Sequence, residues 1–466
     1  MPWVRDHRTA GNGHAAAGSA GGSEIDMLSG PLAGKIVRFA LPLALSSILQ
    51  QLFNAADTAV VGRFAGSGAM AAVGSSGAVI NLAVSLFIGI SVGANVVISS
   101  LIGSGRRERI SAAVHTVITA AFFTGILLLF AGLFSARFLL TLLGTPENVL
   151  GDAVLYLRIY FLGTPFLLLY NYGAAVLRSM GDSDRPFYAL TAAGILNVLL
   201  NLLLVIVFHL DVAGVAIATS VSNGASAYLV LRMLSREKEP FRFRIRDARI
   251  TREPLVRMLQ IGVPAGLQGT LFSLSNAVIQ TGINSFGSDA VAGSAAALTF
   301  EYICAFLIGA FAQTCMTFTS QNFAAGKYGR CRSVFRISLA GGALSCGACN
   351  VLCWVFRGAL IGIFTEDPAV AAFARERMDC VLLVQWIAAS YEVAGGAMRG
   401  MGHSFLPTVL CLIGTCLFRL VWTAAVFPRF GTFSSLLYVY FATWVLTGVL
   451  VLTAYFRLRK RLFGGA

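Results

Sequence analysis

Apolar stretches of about 20 residues recur along this chain and are separated by short polar loops, and each stretch is long enough to cross a bilayer as a helix. No polar region between them is large enough to fold alone as a soluble domain. We therefore predict an all-α polytopic membrane protein with twelve transmembrane helices. The predicted spans are residues 37–62, 76–102, 112–134, 154–176, 187–208, 213–233, 258–283, 295–321, 334–356, 378–398, 407–427 and 434–456.

The polar segments divide the chain into five parts. Residues 1–30 are rich in Gly, Ala and Ser and are predicted to form a disordered cytoplasmic tail. Six spans follow in residues 31–234, and the charged stretch 235–257 is predicted to be a cytoplasmic linker. Residues 258–457 carry the other six spans, and residues 458–466 form a basic cytoplasmic tail.

The two sets of spans repeat one another at a nearly constant offset along the chain. The matched segments include Ala40-Leu41-Pro42 with Gly262-Val263-Pro264, Gly105-Arg106 with Gly326-Lys327, and Leu177-Arg178-Ser179-Met180-Gly181 with Met398-Arg399-Gly400-Met401-Gly402. A constant offset over such a length indicates internal duplication. Because six is an even number, both six-helix bundles enter the membrane in the same direction, and the substrate path is expected between them.

Composition and charge agree with a membrane protein. Hydrophobic residues make up 57% of the chain and charged residues 12%, against about 25% charged in soluble proteins. A net charge of +14 could suggest nucleic-acid binding, but most Lys and Arg fall in the loops on one side, as the positive-inside rule requires. We expect an inner-membrane protein with both termini cytoplasmic, in contact with lipid and not with nucleic acid. Arg377 is among the few cations predicted to be external.

The nine cysteines all lie beyond residue 300, mostly within predicted spans. Cys346, Cys349 and Cys353 share one helix face, a spacing that resembles a metal motif. Small apolar cysteines in a membrane helix usually pack against neighbouring helices. We therefore predict no metal site.

A few polar or helix-bending residues lie inside the predicted spans. Asp57 lies in the first span, where an ionised carboxylate is costly and is by default a functional candidate. Pro42 and Pro264 occupy equivalent places near the cytoplasmic ends of the first helix of each half. Each can bend its helix, and the bend is either a hinge or a static kink.

Four longer motifs give the chain a specific resemblance. They are LPLALSSILQQLFNAADTAVVGRFAG, LRSMGDSDRPF, TSQNFAAGKYGR and AMRGMGHSFLP. In this order and spacing the chain resembles the multidrug and toxic compound extrusion (MATE) family. The resemblance implies two lobes of six helices that export cationic or amphiphilic small molecules in exchange for Na+ or H+. Because one chain contains both lobes, we expect it to function as a monomer. It implies no other cofactor.

The resemblance also implies a coupling site. The chain departs from the family pattern at two positions. Asp57 matches the family's first-helix aspartate, and Asn197, Asn201 and Thr219 match positions that surround it. Asn201 stands where some members have a second carboxylate, so coupling to H+ and coupling to Na+ both stay open. In the seventh helix, the family's glutamate position is not acidic in this chain.

The second lobe carries Glu301, Glu392 and Arg419 within its spans. Glu301 and Arg419 lie at similar predicted depth, and pairing would lower the cost of burying either one. We therefore predict that they are paired or share a hydrated cavity. Glu392 is expected nearer the cytoplasmic end, where it could face water or substrate.

Three other functions can be weighed from the sequence. A flippase-like transporter of lipid-linked or polar substrates is the main alternative, and it would be expected to line its cleft with more cations than Arg419. An enzyme is not expected, because the chain has no HExxH, GxSxG or Walker A motif. A channel fits a duplicated two-bundle chain with isolated buried carboxylates less well than alternating access does.

Overall fold

The computed structural model describes residues 24–464 of the 466-residue chain. Positions 1–23 of the predicted disordered tail therefore lie outside the described residues. The N-terminal bundle contains six spans: α1 (Leu32–Phe64), α2 (Gly66–Gly103), α3 (Arg107–Leu142), the pair α4 (Glu147–Leu162) and α5 (Thr164–Ser179), α6 (Asp184–Asn201) with a π-helical extension (Leu202–Val207), and α7 (Asp211–Ser235). The axes of α4 and α5 differ by 45°.

A linker with one 3-10 turn (Ile245–Asp247) leads to the C-terminal bundle. Its helices are α8 (Arg252–Asn284), α9 (Ser288–Ala324), α10 (Tyr328–Val355), the short α11 (Arg357–Gly362), α12 (Pro368–Val381), α13 (Ala389–Gly400), α14 (Phe405–Cys411), α15 (Phe418–Val421), α16 (Phe427–Phe430) and α17 (Phe433–Phe463). A 3-10 segment joins α12 to α13, and π-helical segments join α14 to α15 and α15 to α16, so each run forms one span.

The predicted all-α fold with twelve spans is confirmed. Ten of the described helices are long and apolar enough to cross a membrane, and the bent pair α4 and α5 makes eleven. The helix at the position of the remaining predicted span, 258–283, is α8, which is 33 residues long and is not among these candidates. Several helices extend beyond their predicted bounds, and α17 runs through most of the predicted basic tail.

The duplication is visible in the backbone as well as in the sequence. Three turn glycines of the N-terminal bundle have left-handed φ values that recur at the matching positions of the C-terminal bundle. Their φ values are 90° and 94° for Gly66 and Gly287, 70° and 71° for Gly105 and Gly326, and 99° and 83° for Gly181 and Gly402. Side chains with a Cβ rarely adopt this region, so the repeated glycines preserve the same turns in both bundles.

The helix ends define two faces of the molecule. We call the face with residues 104–106, 180–183, 236–251, 325–327 and 401–404 the basic face, and the other the opposite face. Hydrogen bonds between the bundles lie in the half near the basic face. They include Thr317 to Asn95 (3.0 Å), Ser320 to the Val96 carbonyl (2.9 Å) and Gln321 to the Ser179 carbonyl (2.7 Å).

Two GxxxG motifs pack against each other between the bundles, in the half near the basic face. Gly89 and Gly93 of α2 face Gly262 and Gly266 of α8, and a Cβ at any of the four would overlap backbone atoms of the other bundle. Small residues at such spacing let membrane helices approach closely. From Gly89 to Ser99, α2 is buried except at the half-buried Val92, whereas its earlier part is more exposed. The bundles are therefore closed near the basic face.

Residues 24–30 form an ordered segment that joins the two bundles, so the predicted disorder does not hold for this part of the tail. The Ile25 amide donates to the Gly181 carbonyl of the N-terminal bundle (3.1 Å). From the C-terminal bundle, Arg330 donates to the carbonyls of Met27, Ser29 and Gly30 at 2.9–3.1 Å. Met27 is 1% exposed. The glycine-rich composition did not reveal these partners, which lie far away along the chain.

The Asp26 carboxyl shapes this segment. Burial by itself would raise its pKa, but hydrogen bonds from the Ser29 hydroxyl and the Leu28 amide, with the nearby charge of Lys35, outweigh burial and lower the pKa. The ionised carboxylate therefore keeps both bonds at neutral pH. Lys35 also donates to the carbonyls of Asp26 and Ser29.

Candidate functional site

Four predicted polar side chains from three helices meet inside the N-terminal bundle. Asp57 of α1 is 9% exposed, and it accepts hydrogen bonds from Asn201 Nδ2 of α6 and from Thr219 Oγ1 of α7, the latter at 3.5 Å. Asn197 donates to Thr219 Oγ1 at 3.4 Å and accepts from Asn201 Nδ2 at 3.3 Å. The structure thus brings all four predicted residues together.

One oxygen in this cluster is left available. Asn201 Oδ1 is buried and has no hydrogen-bond partner among the described residues. An unsatisfied buried acceptor is costly, and a cation or a proton carrier beside it would remove that cost. The π-helical segment begins immediately after Asn201, and such π segments often occur at functional sites because they reorient side chains within a helix.

Close packing between α1 and α6 fixes the geometry of the cluster. Gly194 lies one turn before Asn197 on α6, and a Cβ there would overlap the ring of Phe53 on α1. Tyr156 and Tyr160 of α4 stack with ring centroids 6.4 Å apart and lie within electrostatic range of Asp57. Sequence reasoning missed these two tyrosines, although their spacing of four residues puts them on one helix face.

In the C-terminal bundle, the predicted pair of Glu301 and Arg419 does not form. Glu301 of α9 instead accepts two hydrogen bonds from Arg377 of α12, Nε to Oε1 at 2.6 Å and one terminal nitrogen to Oε2 at 3.0 Å. The exposed fractions of the two side chains are 1% for Arg377 and 7% for Glu301. Gln385 also donates to the Glu301 carbonyl.

The partner of Glu301 was predicted wrongly because the start of the helix that carries Arg377 was predicted wrongly. The fourth span of this bundle was predicted to begin at residue 378, which left Arg377 outside the membrane. The structure begins α12 at Pro368, so Arg377 lies nine residues into the helix, about 13 Å along its axis. At that depth a planar guanidinium can form the bidentate pair that satisfies a buried carboxylate.

Arg419 has neutral partners. It donates to Asn276 Oδ1 of α8 at 2.6 Å, and its Cζ lies 4.7 Å from the ring centroid of Tyr440. Arg377 lies over the same ring at 5.6 Å. Arg419 is 5% exposed, and its buried Nε has no hydrogen-bond partner among the residues that the structure describes.

Glu392 lies on α13 and is half-buried. The charge of Arg399, two turns further along the same helix, acts on it. Arg399 in turn donates to Gln268 of α8 at 2.6 Å. Glu392 is therefore not part of the Glu301 pair, and it lies toward the basic face, as predicted.

The two predicted hinge prolines lie inside continuous helices. Pro42 is in α1 and Pro264 is in α8. Their carbonyls accept hydrogen bonds from Ser46 (2.7 Å) and from Thr408 (3.2 Å) respectively. Pro264 lies between the two glycines of the α8 GxxxG motif, so any bend there acts directly on the closed end.

The cysteines group differently from the helix-face pattern. The sulfurs of Cys304, Cys349 and Cys353 all lie within 4.8 Å of one another. Cys346 is outside this group, and its sulfur accepts a hydrogen bond from Asn350 at 3.4 Å. The sequence could not reveal Cys304 as the third member, because it belongs to α9 and not to α10.

Glu301 and Asp57, the buried carboxylates compared between the two bundles, therefore differ in the charge of their hydrogen-bond partners. Glu301 has a full positive charge in bidentate contact, whereas the hydrogen-bond donors to Asp57 are neutral. In an ion pair of good geometry the carboxylate charge is already balanced, so the pair gains little by binding another cation. A carboxylate with only neutral donors can exchange a proton or hold a hard cation with its amide and hydroxyl neighbours.

Comparison with known proteins gives a consistent result. A family model described as MatE matches residues 42–203 and 264–424. The chain is similar to "Probable multidrug resistance protein YoeA" of Bacillus subtilis, with 29% identity over 381 residues, 80% of this chain and 82% of that protein. It is also similar to a protein of Shewanella oneidensis named "FAD transporter", with 28% identity over 355 residues, 74% of this chain and 77% of that protein.

A solved structure shares the fold. It is described as that of a MOP superfamily transporter from Pyrococcus furiosus, and it superposes with a TM-score of 0.87 over 94% of this chain and 98% of the other, at 18% identity. The match extends over both bundles, so the arrangement of this chain is that of a known transporter fold.

Proposed function

This chain belongs to the MatE family, whose members are transporters and not enzymes, and from that premise we propose that it is a secondary active antiporter. It exports organic cations or amphiphilic drugs in exchange for Na+ or H+ by alternating access of its two bundles. The observation that carries the proposal is the buried Asp57 carboxylate, held within a transmembrane bundle by neutral donors.

The coupling chemistry is assigned to Asp57, Asn197, Asn201 and Thr219. A dehydrated Na+ needs several oxygen ligands and favours carboxylate, amide and hydroxyl oxygens, all of which the cluster contains. The free Asn201 Oδ1 supports this role. A proton on Asp57 would remove the buried charge equally well, so the coupling ion is a question for experiment.

Alternating access is supported by where the bundles touch. Their contacts are concentrated near the basic face, and Asp57 lies seven residues from the opposite end of α1. We assign the basic face to the cytoplasm of the cell that carries the protein in its inner membrane, by the positive-inside rule. The described state is then closed to the cytoplasm, with the coupling cluster in the outward half, and a monomer suffices to form the path.

A second substrate class is favoured by Arg419. Its contacts with Asn276 and Tyr440 include no carboxylate from the described residues 24–464, and one similar protein is named "FAD transporter". An anionic or lipid-linked substrate could be held by this cation. The same transport experiment can compare the two classes directly.

The test uses inside-out membrane vesicles, in which export becomes uptake. Uptake of a fluorescent organic cation and of FAD is measured under an imposed Na+ gradient or an imposed H+ gradient, each oriented so that the ion leaves the vesicle. Asp57→Asn is compared with wild type and with Asp152→Asn, which neutralises an exposed carboxylate of the same bundle.

We expect one gradient to drive uptake in the wild type and in Asp152→Asn, and Asp57→Asn to lose the gradient-driven part. The driving gradient identifies the coupling ion. If neither gradient drives uptake of either compound, the exporter proposal is wrong for these substrates. If Asp57→Asn transports like the wild type, the coupling site lies elsewhere.

A further inference from the structure

Three cysteines from two helices of the C-terminal bundle converge far from the Asp57 cluster. Cys349 and Cys353 are four residues apart on α10, so they lie on the same face one turn apart. Cys304 of α9 faces them, and the three sulfurs are within 4.8 Å of one another. We propose that this group binds one trivalent, thiophilic metalloid, with As(III) as the representative ion.

The sulfur triangle is close to what a single bound centre requires. Three sulfurs bonded to one centre at about 2.3 Å, the usual zinc–thiolate length, lie at most about 4.0 Å apart. Separations that are already below 4.8 Å can reach this geometry through small side-chain rotations. Soft thiolate ligands select soft, polarisable ions over Na+, Mg2+ or Ca2+.

Charge decides among the soft ions. A monovalent ion such as Cu(I) held by three thiolates would leave two negative charges, and a divalent ion would leave one. Cys304 is fully buried, and the other two sulfurs pack against the apolar core of the bundle. Burying net charge in such surroundings costs several kcal/mol or more, so a neutral complex is favoured.

The trivalent metalloid gives a neutral complex at every stage. Neutral As(OH)3 reacts with three neutral thiols, three As–O bonds break, three As–S bonds form, and three water molecules leave. The three thiol protons depart in the water, and arsenic stays in the trivalent state. No oxidant is needed, and no charge enters the apolar region.

The site is accessible from the bundle surface. Cys349 and Cys353 are half-buried, and their neighbours Val351 and Leu352 are exposed by 51% and 59% on the outer surface of α10. A small uncharged hydroxide can reach such a position through the bilayer. Once bound, it would link α9 to α10 inside one bundle, without touching the closed end between the bundles.

The test is binding of arsenite to the full-length protein, purified in detergent under reducing conditions. After gel filtration, bound arsenic is quantified by mass spectrometry, and its ligands are counted by X-ray absorption at the arsenic edge. The variants Cys304→Ser, Cys349→Ser and Cys353→Ser are compared with Cys346→Ser, on the same helix, and Cys416→Ser, a half-buried cysteine elsewhere in the bundle. Thermal unfolding of each variant establishes that it is folded.

We expect one arsenic per chain with three sulfur ligands in the wild type and in both control variants. Each variant of the triad should lose at least tenfold in affinity, and the residual binding should show two sulfur ligands. Should the wild type bind no arsenic, or bind it with other than three sulfurs, the proposal is wrong. It is equally wrong if the control variants lose as much affinity as a folded triad variant.

Discussion

The packing of α2 on α8 gives a quantitative prediction about the state of the transporter. Gly266→Ala would add a Cβ that overlaps the backbone of Leu86 in the other bundle, whereas Gly269→Ala, three residues along the same helix, would place its Cβ at an ordinary 3.7 Å from Ser85. Ordinary carbon contacts lie at about 3.5–4.0 Å. The first substitution therefore forces the two helices apart, and the second does not.

The magnitude follows from the cost of overpacking. An extra methyl in a close-packed site costs about 1–3 kcal/mol, and here the strain is relieved when the bundles separate at the basic face. Because the strain exists only in the closed state, the ratio of open to closed molecules should rise by about 5-fold to 150-fold. Gly269→Ala, whose added Cβ fits beside Ser85 without overlap, should leave the ratio unaltered.

The measurement is the distance between spin labels on either side of the closed end. Glu108 of α3 and Arg332 of α10 are exposed near the basic face, and labels can be introduced there through a non-natural amino acid, so that the native cysteines are left unmodified. We expect Gly266→Ala to populate a longer distance and Gly269→Ala to match the wild type. Identical distributions for the two variants would refute the packing argument.

Three further predictions follow from named contacts. Removing either partner of the Glu301–Arg377 pair, as Glu301→Leu or Arg377→Met, should leave a buried charge alone and destabilise the protein by about 3–5 kcal/mol in thermal or denaturant unfolding. The double variant should recover most of this loss. Strictly additive losses would contradict a direct pair. Arg330→Ala should lower the stability of the docked segment 24–30 by about 2–3 kcal/mol, because three hydrogen bonds are lost. Faster hydrogen exchange of residues 24–30 should report this loss. The neighbouring Arg332→Ala should leave exchange of the segment unchanged. Gly194→Leu should displace α6 from Phe53 and abolish ion-driven transport while the protein still reaches the membrane; normal transport would show that this packing does not set the site.

The sequence predicted the features that depend on short-range spacing or on the cost of polarity in a membrane. Asn197 and Asn201 are one turn apart, so their spacing alone places them on one helix face. The constant offset between the repeats predicted internal duplication, and the left-handed glycines at matching positions, such as Gly105 and Gly326, agree with it. The sequence analysis missed the GxxxG motifs of α2 and α8, and no local pattern indicates that these two motifs pack against each other.

The parts that could not be predicted depend on contacts across long sequence distances. Arg377 was assigned to the wrong side of a helix boundary, and an error of ten positions at the start of α12 moved a buried counterion into solvent. Met27 is held by Arg330, and no local pattern links the two. Cys304 joins Cys349 and Cys353 only because α9 and α10 pack at one particular register.

The difference between the two bundles bears on which of them couples ion flow to transport. Both descend from one repeat, and both keep a carboxylate in the membrane, so burial alone cannot distinguish Asp57 from Glu301. What differs is the partner: a bidentate guanidinium contacts Glu301, and exchanging that partner for an external ion would leave Arg377 buried and uncompensated at a cost of about 3–5 kcal/mol. A proton or Na+ at Asp57 would compete only with the donors Asn201 and Thr219, which carry no charge that could be left buried and uncompensated. This contrast supports the proposal that Asp57 is the coupling carboxylate, and the Glu301 pair is better suited to holding its own bundle rigid.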